Sequence, residues 1–310
     1  MFRVLVSDKI AEEGLAPLLQ AEGIELVHKN VKDVADPEEY SAILVRSGTK
    51  VTADVISRMT NLKIIGRAGV GVDNIDVAAA SERGIVVVNA PGGNTVSTAE
   101  HTFAMMLALS RKIYLANNSL KSGEWNRGAF QGSELKDKTL GIIGFGRIGS
   151  EIAKRAVAFE MNVLGYSRSL TKERAEKFGA KAVDLDFLIA NSDIITLHTA
   201  LTDETRGLLN EETLKKTKPG VMIINCARGG IVDEAALKKF IESGHVKGAA
   251  LDVFSLEPPQ DFELINMEQV VVTPHIAAST KEAQLNVARI VAEDVLSFSK
   301  GEPVKNSINI

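Results

Sequence analysis

Thr139-Leu140-Gly141-Ile142-Ile143-Gly144-Phe145-Gly146-Arg147-Ile148-Gly149 constrains the chain more than any other stretch. A short apolar strand runs directly into G-x-G-x-x-G, and a helix follows. The spacing gives Gly144 the tight turn, Gly146 the close approach of a pyrophosphate to the backbone, and Gly149 the packing of the helix on the sheet. The free N–H groups and positive dipole end of that helix would then meet the phosphates. A lone glycine pattern says little, but strand, turn and helix in this order describe a dinucleotide site.

Short apolar runs precede and follow this segment. Before it they fall at 4–6, 24–27, 42–45, 63–65 and 85–88; after it at 162–166, 194–197, 221–224, 248–251 and 270–272. Strands alternating with helical segments make parallel β-α units. The fold expected is α/β, with two Rossmann-like or flavodoxin-like parallel-sheet domains. Ser97 and Glu100 have capping-box spacing ahead of an apolar run, and Ser279 and Glu282 repeat it before Leu285, Ala288, Val291, Ala292 and Val295. Two helices crossing between domains make the first domain discontinuous. The expected division is 1–96 with 282–310 for substrate and 97–281 for dinucleotide, with a cleft between them as the substrate site.

Bulk properties exclude several classes. With 310 residues, 45% of them hydrophobic and 25% charged, the chain is an ordinary globular sequence long enough for two cores. Its net charge of −4 argues against a general nucleic-acid surface. A single cysteine, Cys226, can form neither an intramolecular disulfide nor a metal cluster, and no run has the length of a membrane span. A cytoplasmic protein is expected.

Ligands of open parallel sheets bind beyond the carboxyl ends of the strands. In the second unit those positions hold Ser167-Arg168-Ser169, His198-Thr199, Asn225-Cys226-Ala227-Arg228, Asp252 and Thr273-Pro274-His275. Polar and ionisable groups thus collect on one edge beside the glycine turn. Arg228 is suited to grip a carboxylate bidentately and polarise the adjacent carbonyl. His275 is suited to exchange a proton with the oxygen as hydride arrives at carbon. Glu257 is placed to hydrogen-bond that imidazole and favour its charged form. His28, His101 and His245 read as structural or surface residues, and His198 as a support at the cofactor's edge. Cys226 reads as a small packing residue.

Residues 144–149, Asn225-Cys226-Ala227-Arg228-Gly229-Gly230-Ile231-Val232-Asp233, the segment 252–259 and Thr273-Pro274-His275-Ile276-Ala277-Ala278-Ser279-Thr280 resemble the D-isomer-specific 2-hydroxyacid dehydrogenases. The likeness covers essentially the whole chain. Val45-Arg46-Ser47, Gly66-Arg67-Ala68-Gly69-Val70-Gly71-Val72-Asp73-Asn74 and Asn89-Ala90-Pro91-Gly92-Gly93-Asn94 are similar to the members that oxidise 3-phosphoglycerate to 3-phosphohydroxypyruvate, the first committed step of the serine pathway. The resemblance implies that Arg228, Glu257 and His275 are catalytic and that Asp252 contacts the nicotinamide amide. It places Arg147, Ile148, Thr199, Cys226, Ala227, Ala277 and Ala278 at the cofactor with Gly144, Gly146 and Gly149. It further implies that Arg46, Arg67 and Arg127 hold the substrate phosphate, the last from the partner subunit of a homodimer built through the cofactor domains. Gly69, Val70 and Gly71 would offer backbone N–H groups to the substrate carboxylate.

Two departures stand out. The acidic residue that normally ends the second strand and bonds the ribose 2′-OH is replaced by Ser167, followed by Arg168. This removes repulsion against a 2′-phosphate, so NAD(P)(H) is expected, leaning towards NADP(H). The same pair suits a hydroxypyruvate or glyoxylate reductase, the runner-up reading; a dinucleotide-sensing corepressor-like protein is a third. Members of the family often continue beyond a segment like Gly301-Glu302-Pro303-Val304-Lys305-Asn306-Ser307 into regulatory domains, whereas this sequence reads to Ile310. A short form or a truncated chain is expected, without serine feedback.

Overall fold

Parallel strands are covered on both faces, so they read as continuous runs of Val, Ile and Leu rather than as alternating patterns. The computed structural model describes residues 1–310, and these runs become its strands. The chain divides into two compact units, Met1–Asn94 with Ala278–Ile310, and Thr95–Ala277.

The first unit contains β1 (Phe2–Val6), β2 (Ile24–His28), β3 (Ala42–Val45), β4 (Ile64–Arg67) and β5 (Val86–Val88), all parallel in the order β2-β1-β3-β4-β5. The helix Lys281–Ser299 lays Val287, Ala288, Val291, Ala292 and Val295 on one face of this sheet, against Val4, Val6, Leu44 and Ile64. Its close approach depends on Gly14, where an added Cβ would lie 2.5 Å from the Ala288 Cβ. Thr280, not Ser279, caps the helix, accepting the Ala283 N–H at 3.1 Å; the Thr280 backbone is the last extended one before the helix. The chain's last residues pair with β5, where Asn309 Oδ1 accepts the Val87 N–H at 2.8 Å.

The second unit contains β6 (Thr139–Ile143), β7 (Asn162–Tyr166), β8 (Lys181–Ala182), β9 (Ile194–Leu197), β10 (Val221–Asn225), β11 (Val246–Leu251) and β12 (Val270–Val272). All are parallel, in the order β12-β11-β10-β9-β6-β7-β8. The chain leaves β6 towards β7 and β8, then returns to build outward from β9. The strand order therefore reverses beside the carboxyl end of β6, the position where such sheets bind ligands. Phe145, Ile152, Ala156 and Val163 pack on one face; Leu188, Ile195, Leu237 and Leu251 pack on the other. The long helix Thr95–Ser110 starts two residues before Ser97, which is buried inside it and does not cap it. No helix is long and apolar enough to cross a membrane.

Candidate active site

The glycine turn after β6 has the geometry its three glycines require. Gly144 has φ +98°, and a Cβ there would stand 2.3 Å from the His198 carbonyl oxygen. A Cβ on Gly149 would stand 2.4 Å from the Gly144 carbonyl oxygen. Around Gly146 nothing lies within 4 Å of the Cβ position, and no side chain caps the helix Arg147–Ala158 that starts there. Open space in front of unfilled helix N–H groups fits a pyrophosphate. Gly144 N–H donates to the Tyr166 carbonyl at 2.8 Å and His198 N–H to the Ile143 carbonyl at 2.7 Å, which ties the turn to both neighbouring strand ends. His198 Nε2 lies 2.7 Å from Thr196 Oγ1, and burial pushes its pKa down to about 3. It is a neutral packing group against this turn, not an acid or base. Thr199 follows it, its N–H 2.8 Å from where a Gly144 Cβ would be.

Ser167 follows β7, and its carbonyl accepts the Leu170 N–H at 3.1 Å. Arg168 does not stand alone after β7 as the sequence suggests: its Nη1 donates to Glu204 Oε2 at 2.7 Å. Glu204 sits in the loop after β9, far away in sequence, and no local pattern announces the pairing.

At the ends of β11 and β12 a buried carboxylate organises the loop that carries His275. Asp252 is fully buried. Its Oδ1 accepts the Thr273 hydroxyl at 2.5 Å and the Ile276 N–H at 2.8 Å; its Oδ2 accepts the Ala277 N–H at 2.9 Å. His275 N–H donates to the Asp252 carbonyl at 2.8 Å. Burial alone would raise the Asp252 carboxyl, but hydrogen bonds from His101, Thr273, Ile276 and Ala277 outweigh it and hold the group below its ordinary value. His101 Nε2 lies 3.1 Å from Thr273 Oγ1 and 3.4 Å from Asp252 Oδ1, so this histidine belongs to the clasp rather than to the surface. Thr98, His101, Thr102 and Met105 stand at i, i+3, i+4 and i+7, a polar-tinged stripe on an apolar helix that marks the position in retrospect.

The clasp holds His275 in the left-handed region at φ +53°. Its Nδ1 lies 2.7 Å from Glu257 Oε2, while Glu257 Oε1 accepts the Phe254 N–H at 3.1 Å. Partial burial pushes the Glu257 carboxyl up; the bonds from His275 and Phe254 outweigh it, leaving the group below the usual glutamate value. Glu257 is therefore a carboxylate at neutral pH. With Nδ1 engaged, Nε2 is the imidazole nitrogen left for proton exchange.

Arg228 stands at the end of the neighbouring strand. Asn225 closes β10 by accepting the Ala227 N–H at 3.1 Å and donating to the Arg228 carbonyl at 2.9 Å; Arg228 Nη1 donates to the Ala227 carbonyl at 2.7 Å. A Cβ on Gly229 would stand 1.8 Å from the Phe254 carbonyl oxygen, so the Arg228 loop packs directly on the loop leading to Glu257. Arg228, Glu257 and His275 thus come from loops after three adjacent strands, β10, β11 and β12. The Cys226 thiol is buried, and burial, helped by the charge of Asp252 and opposed by a Thr102 hydrogen bond, pushes it up to about 12. It packs as a neutral thiol.

In the first unit, Arg46 and Arg67 sit at the carboxyl ends of β3 and β4. Arg46 N–H donates to Asp8 Oδ2 at 2.6 Å, and a Cβ on Gly69 would overlap the Arg67 guanidinium. Gly69 N–H donates to the Arg67 carbonyl at 2.8 Å, and Asn89 Nδ2 donates to the Val70 carbonyl at 2.6 Å, which fixes the loop through Gly71. Ala278 begins the C-terminal stretch of this unit and accepts Gln284 Nε2 at 2.7 Å. Arg127, in the second unit, lies in a groove of about 330 Å³ with Ala116, Leu120, Trp125 and Phe130.

Residues 103–277 match the family described as D-isomer specific 2-hydroxyacid dehydrogenase, NAD binding domain. The whole chain is 60% identical to D-3-phosphoglycerate dehydrogenase of Bacillus subtilis, and 99% of it is 54% identical to the protein of that name from Archaeoglobus fulgidus. The chain spans 59% of the length of each of these relatives. Among solved structures, D-lactate dehydrogenase of Aquifex aeolicus with NAD and lactic acid superposes with a TM-score of 0.88 at 31% identity, covering 99% of both chains.

Proposed function

The chain belongs to the D-isomer specific 2-hydroxyacid dehydrogenases, and we propose that within them it interconverts 3-phospho-D-glycerate and 3-phosphohydroxypyruvate, at the head of serine synthesis. The observation that carries the hydride and proton chemistry is the 2.7 Å contact between His275 Nδ1 and the ionised Glu257, one strand away from Arg228. The names of the two relatives support the substrate.

NAD(H) is the dinucleotide of the matched domain. When bound, it supplies the hydride acceptor for oxidation or the donor for reduction. Residues 144–149 would hold its pyrophosphate at the open helix end. Arg228 would grip the substrate carboxylate and orient C2. As the C2–H bond breaks with its electron pair, neutral His275 takes the hydroxyl proton at Nε2, and the carbonyl forms. Glu257 stabilises the imidazolium through Nδ1. Reduction reverses each step, with the imidazolium giving the proton to oxygen.

Arg46, Arg67 and the backbone of Gly69, Val70 and Gly71 are assigned to the substrate's anionic groups, as is Arg127 supplied by a second copy. Thr199, Ala227, Ala277 and Ala278 are assigned to the cofactor's surroundings; Asp252, being fully buried, acts on it by shaping the His275 loop. NADP(H) can be accepted where Ser167 replaces the acid, but the Glu204 carboxylate on Arg168 favours NAD(H). The single cysteine suits a reducing, cytoplasmic setting.

Turnover with 3-phosphohydroxypyruvate and with hydroxypyruvate tests the substrate. Clear preference for the phosphorylated acid is expected; equal kcat/KM would remove the phosphate assignment and favour a hydroxypyruvate or glyoxylate reductase.

A further inference from the structure

We propose that Glu204 selects the dinucleotide, supplying from the loop after β9 the carboxylate that is missing after β7. The proposal rests on the chain being an NAD(H)-dependent dehydrogenase and deepens that reading at the adenosine end of the site.

The sheet order makes the juxtaposition. β6 pairs with β7 on one side and β9 on the other, so the loops after β7 and β9 flank the glycine turn after β6. The 2.7 Å bond from Arg168 Nη1 to Glu204 Oε2 joins those two loops across the end of β6. Neither loop is slack. Leu170 N–H closes the turn at Ser167 at 3.1 Å, with the Arg168 side chain largely exposed. Thr202 N–H donates to Thr205 Oγ1 at 2.8 Å, and that hydroxyl donates to the Ala200 carbonyl at 2.7 Å, holding the turn that carries Glu204.

The charge consequence is direct. A ribose 2′-hydroxyl can donate a hydrogen bond to a carboxylate poised here, and Ser167 can serve beside it. A 2′-phosphate, with a charge of about −1.5 to −2, meets the same carboxylate as a repulsion. It can recruit Arg168 only by displacing Glu204. Arg168 alone would favour NADP(H); Arg168 held by Glu204 does not. Both side chains are largely exposed, at 77% and 68%, so the pair contributes little to stability and can be altered without unfolding the protein.

The test is calorimetric binding of NAD⁺ and NADP⁺ to the wild-type protein, Glu204→Gln, and Glu204→Gln with Arg168→Ala, with melting temperatures as the folding control. The wild type should bind NAD⁺ more tightly. Glu204→Gln should tighten NADP⁺ by about tenfold or more while NAD⁺ changes much less. Adding Arg168→Ala should abolish that gain, and raising the salt concentration should shrink it. An NADP⁺/NAD⁺ affinity ratio that stays within about twofold in Glu204→Gln, about 0.4 kcal/mol, or a gain that survives loss of Arg168, overturns the proposal. Failure of the wild type to bind either dinucleotide would instead remove the dehydrogenase reading itself.

Discussion

A histidine with positive φ is uncommon and persists only where its surroundings impose it. His275 at φ +53° is imposed by Asp252, which accepts the N–H of His275 itself and of the two residues that follow, and the Thr273 hydroxyl before it. The reward is orientation: Nδ1 meets Glu257, and on the proposed reading Nε2 would face the reacting oxygen. Because Glu257 sits below the ordinary glutamate value, it remains a carboxylate through the neutral range. His275→Ala should therefore lower turnover by about 10²–10⁴-fold. Dinucleotide affinity should be largely kept, since on the proposed reading the helix end after Gly146 would hold the phosphates. Steady-state rates and dinucleotide titration together check this, and unchanged turnover would remove His275 from the chemistry.

At the scale of elements, the ends of β11 and β12 are locked together by the Asp252 carboxylate. Asp252→Asn would leave one N–H of the His275 loop facing an amide NH₂ in a fully buried site, costing on the order of 1–3 kcal/mol or somewhat more for the lost charge. The sign with pH follows from the lowered folded-state value: the carboxylate's contribution is complete above the unfolded value of about 3.9 and is lost as pH falls below it. The stability gap between wild type and Asp252→Asn in urea should stay constant from pH 8 to about pH 5. A gap already narrowing across that interval would mean that burial wins over the hydrogen bonds. Such clasps explain what the sequence conceals. β6 to β12, apart from β8, are readable because doubly covered parallel strands are unbroken apolar runs, and their ends place Arg228, Glu257 and His275 on one edge. β8 has two residues and no run to betray it. The contacts His101–Thr273 and Arg168–Glu204 join residues 172 and 36 positions apart, which no local pattern encodes. Cap positions slip because adjacent Ser279 and Thr280 have the same capping chemistry, and only the backbone chooses between them.

At the scale of the whole molecule, one surface lacks a partner within the chain. The helix Ile113–Lys121 buries none of its residues, yet Ile113 is 54% exposed and Leu120 58%, and the nearby Trp125 is 78% exposed. Large apolar side chains clustered beside a groove mark an association surface more often than a free one. On the proposed reading a second copy of this chain would cover it, since closed two-fold pairing buries the same patch on both subunits. Arg127 lines that groove, and in a pair it would stand at the partner's boundary, where the reading of the substrate phosphate needs it. Light scattering should give a dimer mass for the wild type. Leu120→Asp with Trp125→Glu should give a monomer with an unchanged circular dichroism spectrum. If Arg127 serves the other subunit, that monomer should bind NAD⁺ normally but turn over the phosphorylated substrate poorly, with the loss concentrated in KM. A wild-type monomer, or a monomeric variant with full activity, would place both the interface and the Arg127 assignment elsewhere.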